Sequence, residues 1–177
     1  MTVTHHETEA QRAATGELFR RAFRSHPAGI SIVTAMVPAS DDGAPAGPVG
    51  ITASSVASVA VDPAVLSFSV SGGRSARRLL EADHVVVHLV AAEQLDAVQA
   101  FATPGAERFA EGEWYRTADG DPVLAGVPWA LRCRILERLP IGGSVLVAAE
   151  VLEVLEGAGE GTPLVYRDGA FHTATPL

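Results

Sequence analysis

A hydroxyl-rich stretch in the first third of the chain is the strongest candidate for chemistry. Thr52, Ser54, Ser55 and Ser58 place four hydroxyl groups within seven residues, and their neighbours are small and nearly uncharged. A second polar stretch, residues 69–78, follows shortly afterwards and contains three arginines. Backbone amides, hydroxyls and guanidinium groups are donors that suit a planar polar ring carrying a phosphate. The two stretches together predict a pocket for such a ligand.

The second stretch offers a physical mechanism for holding a phosphate. Ser75 is expected to cap a short helix over residues 75–82, and two glycines before it give the backbone freedom. Unpaired N–H groups at a helix N-terminus favour an anion. The nearby charged donors are Arg74, Arg77 and Arg78. A capped surface helix with solvated arginines explains this segment equally well. A pocket is favoured because both polar stretches flank one predicted strand pair.

The elements that must position these residues are mainly strands. Strands are predicted at 29–37, 49–53, 64–70, 84–90, 129–139, 144–155, 164–166 and 170–172, and helices at 8–25, 75–82 and 92–102. Hairpins rather than helices join most of the strands. The pattern therefore predicts an antiparallel barrel with peripheral helices, not a doubly wound sheet. Neither a GxGxxG motif after a first strand nor a Walker loop occurs in the sequence.

Composition narrows the class of protein. A length of 177 residues predicts one domain, which we place at 8–177 after a disordered tail at 1–7. A net charge of −8 argues against a nonspecific nucleic-acid binder. Without an apolar run of spanning length or a signal-peptide core, a cytoplasmic protein that does not contact the membrane is expected. The single cysteine, Cys133, excludes an internal disulfide and is expected to be buried in a strand.

Histidines and aromatic residues are weaker candidates. His84 and His88 lie four residues apart on one face of a predicted strand, but they lack a third ligand. A hydrogen-bonded strand histidine is therefore preferred to a metal site. Trp114 and Tyr115 are expected to pack in the core or at an interface rather than to cover a pocket.

A series of motifs follows one another in a recognisable order. They are residues 27–34 (PAGISIVT), 50–55 (GITASS), Ser58-Val59, Asp62-Pro63, Ser75 with Arg77, Phe101, Arg108-Phe109, Trp114, 122–124 (PVL), Leu131 with Cys133, and 163–166 (PLVY). In this order and spacing the chain resembles the flavin reductase family. Its members are FMN-binding split β-barrel proteins, and they resemble the small reductases that supply reduced flavin to two-component monooxygenases. The likeness runs from about Phe19 to His172.

The resemblance implies a structure and a site. The implied fold is mainly β (α+β), an antiparallel split β-barrel of the FMN-binding type with peripheral helices, and the implied assembly is a homodimer with its flavin cleft at or near the dimer contact. The residues implied to contact the ring and the ribityl chain are Thr52, Ala53, Ser54 and Ser55, with Ser58 nearby. Those implied to hold the phosphate are Ser69, Ser71, Ser75, Arg77 and either Arg74 or Arg78.

The resemblance also implies an activity. NADH or NADPH would pass a hydride from nicotinamide C4 to N5 of FMN, or of FAD, and the reduced flavin would go to a partner monooxygenase. In such enzymes the cofactors carry the difficult chemistry, and the protein stacks the two rings and excludes water. An acid–base pair is not required.

Two positions depart from the family pattern. The family usually has Gly-Asp-His where this chain has Gly142-Gly143-Ser144, and Val56 stands where an aromatic residue is common. The family histidine is associated with nicotinamide and flavin contacts. Ser144 occupies its position, and we assign no catalytic residue. Two alternatives stay open: a flavin carrier or flavin-dependent tailoring enzyme without nicotinamide chemistry, and a non-catalytic split barrel that binds a partner or another small molecule.

Overall fold

The computed structural model describes residues 8–41, 43–109, 113–157 and 161–176, and strands dominate it. The strands are β1 (Ala28–Gly29), β2 (Ser31–Val37), β3 (Gly47–Ala53), β4 (Ala57–Val61), β5 (Ala64–Ser71), β6 (His84–Leu89), β7 (Trp114–Arg116), β8 (Pro122–Leu124), β9 (Trp129–Ile141), β10 (Ser144–Glu156), β11 (Leu164–Arg167) and β12 (Ala170–Thr173). The helices are α1 (Glu9–Ser25), α2 (Arg74–Leu79) and α3 (Leu95–Ala102), the last preceded by a 3₁₀ turn at Ala92–Gln94. The predicted tail at 1–7 lies outside the described residues.

One large antiparallel sheet organises the molecule. Its strand order is β3-β2-β6-β9-β10-β5-β4, and β1-β11-β12 and β7-β8 form two smaller sheets. The large sheet curls, so that β3 near one edge contacts β5 near the other. The Ser69 N–H donates to Ser55 Oγ at 2.9 Å and joins the segment after β3 to β5. The predicted class, mainly β and antiparallel with peripheral helices, is confirmed.

Apolar side chains on both faces of the central strands build the core. In β6, Val85 and Val87 pack with Phe68 on one side of the sheet, while Val86 packs with Val98 on the other. Successive residues of a strand point to opposite faces, so a strand covered on both faces needs a continuous apolar run. Helix α3 and strand β8 cover part of the sheet face on which Val86 lies. This packing brings α3 close to β3 and the polar segment that follows it.

Three local predictions need correction. Residues 57–61 were not among the predicted strands, but they form the edge strand β4, whose small side chains pair with β5. Ser75 was predicted to cap α2; the N-cap is Gly73, which makes no side-chain cap bond. Ser75 instead lies in the first turn, where its hydroxyl meets another partner. At six residues α2 is also shorter than predicted, so its dipole supplies little of the anion attraction argued above.

The predicted burial of Cys133 is observed. Cys133 is fully buried, and desolvation raises the pKa of its thiol to about 12. Helix α1 begins with a capping box between Thr8 and Gln11.

No three metal-binding side chains come together in the described part of the chain, and none of the helices described there is long and apolar enough to cross a membrane. A cytoplasmic location stays a prediction.

The buried histidine His88 joins three strands. Its Nδ1 lies 3.0 Å from the Ile32 carbonyl in β2, and the Leu124 N–H in β8 donates to Nε2 at 3.0 Å. Nε2 is therefore the acceptor and Nδ1–H the donor, which defines one neutral tautomer. Burial lowers the pKa of His88 from 6.5 to about 4, against a smaller raising effect of the Ile32 bond. The predicted strand histidine with satisfied hydrogen bonds is thus observed.

This histidine should make stability depend on pH. Below pH 6.5 the unfolded chain binds a proton at His88, whereas the folded protein does so only near pH 4. The neutral His88 therefore contributes its full stabilisation of the folded protein above pH 6.5. This stabilisation is lost as the pH falls to 4, which lowers the free energy of unfolding by about 3 kcal/mol. Urea denaturation at several pH values should show a shallower decline in His88→Gln than in the exposed-site control His172→Gln. Identical declines would contradict this role.

Candidate functional site

A cleft of about 590 Å³ opens where β3, α2, α3 and the β11–β12 hairpin meet. We call it the main cleft. Its apolar lining includes Ile30, Ile51, Phe101 and Phe171, and its polar lining includes Thr52, Ser54, Ser71, Arg74, Ser75, Arg108 and Tyr166. None of the described lining residues is acidic. In a chain of net charge −8, this cleft therefore concentrates hydroxyl and guanidinium donors around an apolar wall, a combination that suits an anionic aromatic ligand.

A second depression of about 830 Å³ adjoins the main cleft. We call it the side groove. It lies between the C-terminal end of α1 and the segment after β3, and its lining includes Phe23, Arg24, His26, Ser55, Val56 and Ser69. Ser54, Tyr166 and Gly169 line both depressions. The two spaces are thus continuous around the β11–β12 hairpin, which is tied to α1 because the Asp168 N–H donates to the Arg24 carbonyl at 2.8 Å.

The structure brings seven of the ten predicted cofactor residues to these two spaces. Five line the main cleft: Thr52, Ser54, Ser71, Arg74 and Ser75. Ser54 also lines the side groove, as do Ser55 and Ser69. The Thr52 hydroxyl donates to the Val98 carbonyl of α3 at 2.7 Å, so it offers a ligand its lone pairs rather than its proton. The hydroxyl-rich stretch is therefore a cleft wall.

The other three predicted residues lie elsewhere. Ala53 is buried in the core, Ser58 is exposed on the edge strand β4, and Arg77 is exposed on α2. Among the described residues that line either space, none of these three is present. Arg78, the alternative phosphate ligand, is almost fully buried; it donates to the Pro38 carbonyl and pairs with Glu81 at 3.2 Å. It braces the β2–β3 loop.

Close packing shapes the wall opposite α2. A Cβ atom on Gly50 would lie 2.4 Å from the ring of Phe101, so only glycine lets β3 approach α3 this closely. Phe101 packs edge-to-face on Phe109 with centroids 5.2 Å apart, and Phe109 packs in the same way on Trp114. The aromatic stack fixes the segment that follows α3 against the main cleft. Trp114 packs as predicted, and its Nε1–H donates to the Phe109 carbonyl at 3.2 Å.

Comparison with known proteins assigns the family. Residues 23–175 match the family model for the flavin reductase like domain.

The chain belongs to the flavin reductase family.

The NADH:FMN oxidoreductase of Rhodococcus qingshengii is 35% identical to this family member over 178 residues, covering 93% of this chain and 89% of that protein. The reductase component of the flavin-dependent trigonelline monooxygenase of Acinetobacter baylyi is 32% identical, covering 87% of this chain and 47% of that protein. The crystal structure of a flavin reductase domain protein from Arthrobacter sp. FB24 superposes with a TM-score of 0.82 at 30% identity, covering 92% of this chain and 97% of that one.

Ser144 begins β10 next to the strand that borders the main cleft. It pairs with Ser71 of β5 and with Ile141 of β9 across the hairpin turn. Gly142 in that turn has a φ of 57°, which favours glycine in a two-residue hairpin. Ser71 lines the main cleft, so residue 144 is one strand away from it. In this flavin reductase family member that neighbouring position carries a small hydroxyl; that it corresponds to the family's histidine stays a prediction.

Arg108 is the site residue that sequence reasoning missed. It appeared only within a motif of the resemblance, inside a stretch predicted as irregular. In the structure its guanidinium lines the main cleft and donates to Ser75 Oγ at 2.5 Å. Its neighbour Phe109 offers a partial signal, because an aromatic residue in a polar segment indicates that the segment packs back on the core. The partners of the guanidinium come from β3, α2 and α3, and only the fold brings these together.

Proposed function

We propose that this chain is an NAD(P)H:flavin oxidoreductase that binds FMN, reduces it and supplies the product to a partner monooxygenase. The observation that carries the proposal is the main cleft, in which hydroxyls and arginines surround an apolar wall and the described lining holds no carboxylate. NADH is favoured as the donor because the relative with 35% identity over 93% of this chain is an NADH:FMN oxidoreductase. One domain over residues 8–177, with the curled sheet as the family's split barrel, is part of the proposal.

The two ends of the main cleft suit the two ends of FMN. Arg74, Ser75 and Ser71 offer charged and hydroxyl donors for the phosphate. Thr52 and Ser54 offer hydroxyl oxygens for the ribityl chain and the polar edge of the ring, and Phe171 contributes apolar surface. A volume of about 590 Å³ lies within the usual range of cofactor pockets. The residues present therefore fit FMN.

The continuity of the two spaces suits a reaction between two bound ring systems. When bound, the flavin supplies the chemistry by accepting a hydride from the nicotinamide. The protein positions the two rings next to each other, since Ser54 and Tyr166 lie where the side groove meets the main cleft. Arg24 and His26 at the far side of the groove are polar contacts for the nicotinamide dinucleotide. Holding two reactants side by side and away from water is a large part of catalysis in such a site.

A homodimer is also part of the proposal. Helix α1 presents Leu18, Phe19 and Phe23 to solvent at 62%, 59% and 61% exposure, and the β9–β10 hairpin exposes Leu139 and Ile141. Phe23 borders the side groove, so a second copy that covers this apolar surface would also close the groove. Light scattering should give a mass twice that of the 18.4 kDa chain. A monomer at assay concentrations would contradict this part of the proposal.

Steady-state kinetics test the proposed activity. Purified protein should oxidise NADH or NADPH only when FMN is added or already bound, with a rate that saturates in both substrates. Reduced FMN should then support a flavin-dependent monooxygenase assayed in the same vessel, as expected from the relative that is a monooxygenase reductase component. A protein that binds FMN but oxidises neither nucleotide would favour the alternative of a flavin carrier.

Restoring the family imidazole should raise turnover. Ser144→His places an aromatic ring one strand away from Ser71 and the main cleft, and a stacked aromatic contact contributes about 0.5–1.5 kcal/mol. We therefore expect kcat for NADH oxidation to rise by about two- to tenfold. Ser144→Asn is the matched control, since it adds volume and polarity without a ring, and should give no such gain. Equal kcat values in both variants would show that other residues set the approach of the two rings.

A further inference from the structure

Arg108 lines the main cleft in an orientation fixed by the protein itself. Its Nη1 donates to the Gly50 carbonyl at 3.0 Å and to Ser75 Oγ at 2.5 Å. Its Nε donates to the Ala100 carbonyl at 3.3 Å, and its Nη2 donates to the Thr103 carbonyl at 3.0 Å. Four acceptors therefore engage four of the five N–H donors of one rigid fork. The guanidinium is in place before any ligand arrives.

The bond to Ser75 decides how that hydroxyl acts. A serine hydroxyl has one proton, and the Ser75 oxygen already accepts from a cation. Because the guanidinium repels it, its proton points away from Arg108 and is left for a ligand in the cleft that Ser75 lines. Ser75 donates no hydrogen bond to any residue that the structure describes. Arg108 thereby converts a freely rotating hydroxyl into a donor aimed at a ligand.

The charge of Arg108 is also uncompensated within the described residues. Its four acceptors are uncharged, and the described ion pairs involve other arginines. Partial burial lowers the pKa of Arg108, but a guanidinium stays protonated at neutral pH. A half-buried cation behind a directed hydroxyl favours a phosphate over the uncharged hydroxyl end of a ribityl chain.

We propose that Arg108 is a positioning residue that acts through Ser75 to select a phosphorylated flavin over its dephosphorylated form. The proposal rests on the proposed FMN function. Arg74 also lines the cleft but differs in kind, because it is exposed, whereas Arg108 is partly buried and held by four hydrogen bonds. Arg108 also fastens the segment after α3 to that helix through Ala100 and Thr103. The same side chain thus holds the wall and directs the hydroxyl.

A double-mutant cycle tests the coupling. Dissociation constants for FMN and riboflavin are measured for wild type, Ser75→Ala, Arg108→Gln and the double variant. One charge-assisted hydrogen bond corresponds to about tenfold or more in affinity, so each single variant should weaken FMN by at least about tenfold and riboflavin by less than about threefold. The double variant should lose little more than Ser75→Ala alone, because Arg108 acts only through the hydroxyl that this substitution removes. Arg108→Lys keeps the charge but not the fork, and should lose nearly as much FMN affinity as Arg108→Gln.

The outcomes separate this proposal from the function it rests on. Losses that multiply in the double variant would show that Arg108 and Ser75 act independently, and would overturn the proposal. Equal losses of FMN and riboflavin affinity in the Arg108 variants would overturn it as well, because they indicate a role in folding alone. If Arg108→Gln does not fold, Arg108→Lys completes the cycle. A wild-type protein that binds neither flavin would refute the FMN function itself. Equal wild-type affinities for both flavins would refute the phosphate contact and leave flavin reduction standing.

Discussion

Protein carrying Arg74→Ala together with Ser75→Ala is expected to bind FMN about 100-fold more weakly than wild type, with riboflavin affinity changed by about threefold at most. Both side chains line the end of the main cleft that we assign to the phosphate. Charge-assisted hydrogen bonds contribute about 1.5–3 kcal/mol each, and riboflavin lacks the group that would receive them. Titration of each flavin by quenching of its fluorescence gives the two dissociation constants.

Arg77→Ala is the matched control for this experiment. Arg77 belongs to the same short helix and carries the same charge, but it is exposed and lies outside the described lining of the main cleft. It should therefore change FMN affinity by about twofold or less, as expected for a solvated surface charge. A loss in Arg77→Ala as large as in the double variant would show that Arg77 contacts the phosphate, as the family resemblance implied. Equal losses of both flavins in the double variant would remove the phosphate assignment.

Phe68→Ala is expected to lower the free energy of unfolding by about 3–5 kcal/mol. Phe68 is fully buried in β5 and packs in the cluster that holds the curled sheet together, with Val33, Val85 and Val147 among its members. Truncation removes its apolar contacts and leaves a cavity that close-packed neighbours fill only in part. Because a domain of this size has about 5–15 kcal/mol in total, the variant should be only marginally stable. Urea denaturation monitored by tryptophan fluorescence measures the change.

Val61→Ala provides the surface control. Val61 is 88% exposed on the edge strand β4, so its truncation should change the unfolding free energy by less than about 0.5 kcal/mol. Phe68 is outside the described lining of the main cleft. The folded fraction of Phe68→Ala should therefore bind FMN with nearly wild-type affinity at low temperature. A change below about 1 kcal/mol in Phe68→Ala would contradict the packing described for β5.

Strand positions were predictable because buried strands have runs or alternations of apolar residues in the sequence. The run of valines in β6 and the long alternating segments of β9 and β10 were predicted with boundaries close to those observed. The edge strand β4 was missed, since its residues are small and all exposed, and an edge strand with one neighbour needs no apolar alternation. Its pairing with β5 is a property of the sheet rather than of the segment.

The site was predictable in part, for a physical reason. Hydroxyls and arginines are concentrated in two short segments, so Ser54, Ser71 and Ser75 were identified before the fold was known. Which arginine reaches the cleft depends on how a six-residue helix sits on the sheet, and this selects Arg74 over Arg77 and Arg78. The partners of Arg108 come from segments up to 58 residues away, a distance that local patterns do not encode.

The apolar surface of α1 beside the side groove is another feature whose role local sequence patterns do not encode. A helix was predicted over residues 8–25, and helix α1 is present at Glu9–Ser25. Its apolar side chains Leu18, Phe19 and Phe23 are nevertheless exposed in the single chain. We propose that a second copy covers this apolar surface and completes the nicotinamide side of the site.

Anaerobic mixing of the protein, excess FMN and NADH tests the central claim most directly. We predict that the visible absorbance of FMN is lost while NADH is consumed in equal amount, and that a small quantity of protein reduces many equivalents of flavin. NADPH added in place of NADH identifies the preferred donor. A protein that binds FMN but leaves its absorbance unchanged with both nucleotides would contradict the account.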